Sequence, residues 1–223
     1  MALPPIDSGY ATRLRHGYRS GRDTIGRSDG NVRAQSWGRA IINRGRMVLG
    51  LVGLMWVIEV IDTVVLGRSL NAIGIHPRDV GRAWQIPLAP FLHGDFGHLI
   101  SNTGPLLWLG AMVSVWGVGE FLLVTAGITV FGGAGTWLIG RDAVHQGGSL
   151  LALGFFGYLV ARGAVERRVI AVALAILTVY WYGYAAWSVL PGVPRVSWES
   201  HLSGMLAGGA IGYVRARALR GMP

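Results

Sequence analysis

The stretch that decides the fold is Gly147-Gly148-Ser149-Leu150-Leu151-Ala152-Leu153-Gly154-Phe155-Phe156-Gly157. It sets a lone hydroxyl at the start of a glycine-spaced apolar run. Glycines at such intervals let helices approach closely, the packing mode of a membrane bundle. A serine inside an apolar helix can be inert, because its hydroxyl bonds back to its own backbone. This one has two glycines and a polar lead-in, Arg141-Asp142-Ala143-Val144-His145-Gln146, on its N-terminal side. The stretch therefore reads as a short membrane span with a reactive position near one end.

Composition agrees. The 223 residues are 52% hydrophobic and only 14% charged, with a mean hydropathy of +0.45. That balance excludes an ordinary soluble domain. Cysteine is absent, which excludes disulfides, thiolate nucleophiles and cysteine-based metal sites. The net charge of +9 is carried entirely by arginine, and nine of the 20 arginines precede the first apolar run. Charge so placed sets membrane topology, so no nucleic-acid partner is expected.

Six apolar runs follow a polar, basic segment: Met47–Leu66, Gly97–Trp116, Glu120–Ile139, Gly147–Arg162, Val169–Val189 and His201–Val214. The expected organisation is a flexible cytosolic tail (1–46), an all-α membrane domain (47–217) and a short cytosolic tail (218–223). Six spans return both termini to one side. Fifteen arginines fall on that side and five (Arg68, Arg78, Arg82, Arg141, Arg195) on the other. The excess puts both termini in the cytosol of a multi-pass cell-membrane protein in contact with membrane lipids. Glu59 and Asp62, near the end of the first run, are expected to pair with Arg68.

Polar residues inside the spans need a reason, because each costs about 1–3 kcal/mol when buried unpaired. His98 and Asn102 stand four apart and share one helix face. Counted from the expected inner ends of their spans (Arg162 and Arg215), Ser149 lies about 20 Å and His201 about 21 Å up. Asn102 is about 22 Å up by the same rise. Three spans thus place a serine, a histidine and an asparagine in one layer, about 10 Å below the outer face of a core of about 30 Å. Serine with histidine is a nucleophile with its general base, and His98 and Asn102 can donate to an oxyanion. Spans four and six are short, which suggests a water-filled cavity open to the outside.

His93-x4-His98-x3-Asn102, then Gly147-Gly148-Ser149, then Glu199-Ser200-His201-Leu202-Ser203-Gly204 together resemble the rhomboid family of intramembrane serine proteases. The resemblance implies a six-helix bundle, Ser149 as nucleophile and His201 as base. His98, Asn102 and the Ser149 N–H would form the oxyanion hole, with His93 and Gly147 in support. It also implies single-span transmembrane proteins as substrates and a gate formed by span five and the loop before His201. No cofactor is expected, and no metal, because cysteine and a His-Glu-x-x-His helix are both absent. The chain departs from the family at Leu150, where glycine is usual, a change expected to loosen the contact between spans four and six. Glu199, two residues from His201, is read as a loop residue outside a Ser–His dyad, and His76 and His145 as ordinary loop residues. The competing reading is a non-catalytic relative that binds transmembrane clients.

Overall fold

In lipid every backbone N–H and C=O must find a partner within the chain, so apolar runs fold as helices. The computed structural model describes residues 38–192 and 196–220 and contains no strand among them. The chain divides into two units, residues 1–43 and 44–223. Of the first, only 38–43 are described, as the opening of helix α1 (Gly38–Val64). The helix thus begins inside the segment read as a tail. Arginine is a good helix former, and the apolar pattern marks a span, not a helix end. The rest of that tail (1–37), and residues 221–223 of the C-terminal one, lie outside the described residues.

The second unit continues with α2 (Phe96–Ser114) and α3 (Val118–Ile139), which passes through a π turn at Ile128–Gly132. Then come α4 (Ser149–Glu166), α5 (Val169–Tyr182) with a 3-10 extension Gly183–Val189, and α6 (Trp198–Arg220). Four of these rods (α1, α3, α4 and extended α5) are long and apolar enough to cross a membrane. The second and sixth expected spans are helices too, but they fall short in apolarity. The cause is visible in their composition: α2 carries His98, Ser101, Asn102 and Pro105, and α6 carries Glu199, His201, Arg215 and Arg217.

Helix α4 is the central one. Its apolar window is 72% buried, against 17% for α5 and 28% for α1. Glycine explains how it can be surrounded. A Cβ at Gly208 of α6 would fall onto the Gly154 carbonyl, one at Gly212 onto the Tyr158 carbonyl, and one at Gly204 onto the Leu150 carbonyl. The offset along the two chains is the same each time, so α4 and α6 run parallel, backbone against backbone. Carried three residues further towards the N-termini, this register sets His201 level with Gly147.

Leu150 does not loosen that contact. Its side chain is buried against Gly132 of the α3 π turn and Gly204 of α6, where a Cβ would meet Leu150 Cδ1 at 3.2 Å in both cases. Two missing side chains make room for the extra one.

Far from Ser149, α3, α4 and α6 are tied by charge. Arg162, expected to mark a membrane surface, is buried and donates to Glu120 (2.9 Å) and Glu166 (2.6 Å), with the Tyr158 hydroxyl beside it. Its guanidinium covers the Trp116 ring at 4.1 Å. Arg215 of α6 completes the cluster on Glu120. The expected pairing of Glu59 and Asp62 with Arg68 is replaced by local bonds. Asp62 Oδ1 accepts the Leu70 N–H at 2.9 Å, and Glu59 accepts from the Thr63 hydroxyl at 3.4 Å. Arg68 turns the chain instead, with a left-handed φ of 64°.

Candidate active site

Ser149 is the first residue of α4, so its backbone N–H has no acceptor within the helix and sits at the positive end of the macrodipole. The two glycines before it are required. Gly147 has φ +126°, and a Cβ there would come within 2.5 Å of the His98 ring. Gly147 donates its N–H to the Ala89 carbonyl at 3.0 Å, and Gly148 donates to His93 Nε2 at 3.1 Å. The turn that presents Ser149 is thereby fixed from the segment preceding α2. His93 is buried, which drives its imidazole down to about 4, with a smaller contribution from neighbouring His98.

Helix α2 is capped by Asp95, whose Oδ1 accepts the His98 N–H at 2.8 Å, a side-chain N-cap. The His98 ring meets His93 edge-on at 5.2 Å. One turn on, Asn102 is buried, and its Nδ2 has no partner among the described residues. A buried amide donor left open in this way is costly unless something else takes the bond.

From α6, His201 joins the same space. His98, Asn102, Ser149 and His201 all line one cavity of about 510 Å³. A second recess of about 240 Å³ adjoins it and adds Leu153, Tyr182 and Ser188. The hydrogen bonds of His201 run to Ser188, not to Ser149. Nucleophile–base contacts often tighten only once substrate is engaged.

The loops above the cavity are braced by residues read from the sequence as ordinary. His145 is buried; Nδ1 lies 2.6 Å from Ser197 Oγ, and Nε2 lies 3.0 Å from the Arg141 carbonyl. Its backbone forms an isolated antiparallel bridge with Ile75. Glu199 lies in the first turn of α6, not in a loop. Its Oε1 accepts the Arg141 N–H at 3.1 Å, so the carboxylate serves the loop and not His201.

Residues 80–218 match the Rhomboid domain family. The chain belongs to the rhomboid family. It is 35% identical over 191 residues to an uncharacterized protein of Mycobacterium tuberculosis (strain H37Rv), covering 79% of each chain. A Mycobacterium leprae protein, also uncharacterized, is 34% identical over 179 residues, 76% of this chain and 70% of its own. YdcA of Bacillus subtilis, a proposed rhomboid protease, is 35% identical over 79 residues, 34% of this chain and 40% of its own.

Rhomboids are generally serine proteases, and the apolar helices of this one make it a multi-pass membrane protein. Its cavity brings together a hydroxyl, an imidazole and two kinds of N–H donor. That set can generate a nucleophile and hold the negative oxygen formed when a carbonyl is attacked. No three His, Asp or Glu residues among those described converge as metal ligands. The sequence reading missed Ser188, which lies on a 3-10 turn whose aromatic surroundings give no polar signal.

Proposed function

We propose that this rhomboid is an intramembrane serine protease that cuts single-span membrane proteins in the outer part of their transmembrane helices. Ser149 attacks the scissile carbonyl, His201 takes its proton and returns it to the leaving amine, and Asn102 Nδ2, His98 and the Ser149 N–H receive the oxyanion. The observation that carries this reading is the open Nδ2 of buried Asn102 in the cavity it shares with Ser149 and His201.

On this reading the chain crosses the membrane six times with both termini in the cytosol, and the cavity opens towards the outside. An intact substrate helix keeps its carbonyls bonded, so substrates need small or helix-breaking residues near the cut. A site about 10 Å deep implies cleavage within about seven residues of the outer boundary. Mass spectrometry of fragments from a reconstituted substrate tests this, and cuts at the midplane contradict it. A fluorophosphonate probe should label the intact chain and spare Ser149→Ala. Equal labelling of the two, or none of either, would favour a non-catalytic client-binding protein.

A further inference from the structure

We propose that Ser188 is the positioning residue for His201, fixing which ring nitrogen carries the proton. The proposal rests on the serine-protease reading above. His201 Nδ1 lies 2.8 Å from Ser188 Oγ and 3.2 Å from the Ser188 carbonyl oxygen. The carbonyl can only accept. The hydroxyl donates its own hydrogen to the Ala185 carbonyl at 2.5 Å, so Oγ offers the ring only lone pairs. Both contacts therefore require a proton on Nδ1. In a neutral imidazole that leaves the lone pair on Nε2, the atom available to take a proton from Ser149.

Among the described residues no other group contacts His201 Nδ1. Glu199, the carboxylate nearest in sequence, is engaged by Arg141, and His145 is held by Ser197 and the Arg141 carbonyl. Ser188 borders the 240 Å³ recess together with Ser149 and His201. Its side-chain bond reaches back three residues along the 3-10 segment to the Ala185 carbonyl, and Oγ and the Ser188 carbonyl oxygen both face one ring nitrogen. The ring is thus oriented from the α5 extension Gly183–Val189, not from the helix that bears it. Displacing that extension releases Nδ1, so the base is in register only while the segment is seated.

The test uses the full chain in liposomes with a transmembrane substrate. Ser188→Ala removes Oγ but keeps the carbonyl. General-base catalysis contributes about 10²–10⁴ in rate, so kcat should fall about tenfold or more, with KM and thermal stability near wild type. Ser188→Thr, which retains the acceptor, should restore kcat. Ser188→Cys, close in shape but a weak acceptor, should resemble Ser188→Ala and decides the matter if the alanine variant does not fold. Wild-type kcat in both Ser188→Ala and Ser188→Cys overturns this proposal while leaving the protease reading intact. A wild-type chain that does not cleave, or a Ser149→Ala variant that does, overturns both.

Discussion

The backbone N–H of Gly148 donates to His93 Nε2 across 3.1 Å in the buried layer under Ser149. The bond needs a neutral imidazole, because a protonated Nε2 would face the amide donor to donor. Burial holds His93 at about 4, below the ordinary value of about 6.5. The folded chain therefore binds fewer protons than the unfolded one between those values. The stabilisation is present in full above about pH 6.5 and is lost as pH falls towards 4, by about 1.4 kcal/mol per unit at most. His93→Gln can accept the same bond without titrating. Thermal unfolding in detergent from pH 7.5 to 4 should show a shallower decline for His93→Gln than for wild type. Parallel curves would mean that His93 does not govern the acid limb.

Ser149, Asn102 and His201, which line one cavity, were readable as neighbours because helix rise converts sequence distance into relative height. Gly204, Gly208 and Gly212 stand four apart in the sequence, a spacing of small residues that marks a close face. What that ridge packs against was not readable. Nothing around Leu150 announces that Gly132, on another helix, leaves it space. Arg162 resembled an interfacial arginine because its partner Glu120 lies 42 residues away, and sequence carries no signal for such a pairing. Ser188 was hidden for a related reason: the ring it holds is 13 residues further on, past a turn.

The glycine ridge gives a controlled comparison. A Cβ at Gly208 would overlap the Gly154 carbonyl, whereas at neighbouring Gly209 the nearest atom would be 3.8 Å away. Gly208→Ala must force α4 and α6 apart, at a cost of about 3 kcal/mol or more, and should disturb the register between His201 and Ser149. Thermal stability and probe labelling should both fall. Gly209→Ala should leave both unchanged. Two variants that behave alike would refute the parallel backbone contact.

Removing Arg162 tests the charge cluster. Breaking a buried pair costs about 3–5 kcal/mol, because a charge is left without compensation. Arg215 still faces Glu120, and Arg168 still reaches Glu166 at 3.6 Å, so Arg162→Met should sit at the low end, about 3 kcal/mol. Adding Glu166→Gln should recover part of the loss, since the two sites share one network. Unfolding midpoints of the single and double variants measure it, and strict additivity would argue against the network.

Leu150 gives the least intuitive expectation. Glycine is usual at this position in the family, so Leu150→Gly looks like a repair. In this chain the leucine fills a space left by Gly132 and Gly204, each 3.2 Å from its Cδ1 once a Cβ is added. Deleting a buried leucine side chain costs about 2–5 kcal/mol, depending on how far the surroundings collapse. Here collapse is resisted, because the α4 and α6 backbones already touch and α3 is held at its far end through Glu120. Glycine adds about 1 kcal/mol more as a poor helix former one residue after Ser149. Leu150→Gly should therefore unfold at lower temperature than wild type and label more slowly at Ser149. Combining it with Gly132→Ala, which puts a methyl group back into the vacated space, should recover part of both. A Leu150→Gly variant as stable as wild type, with no gain from Gly132→Ala, would show that the leucine does not fill that space.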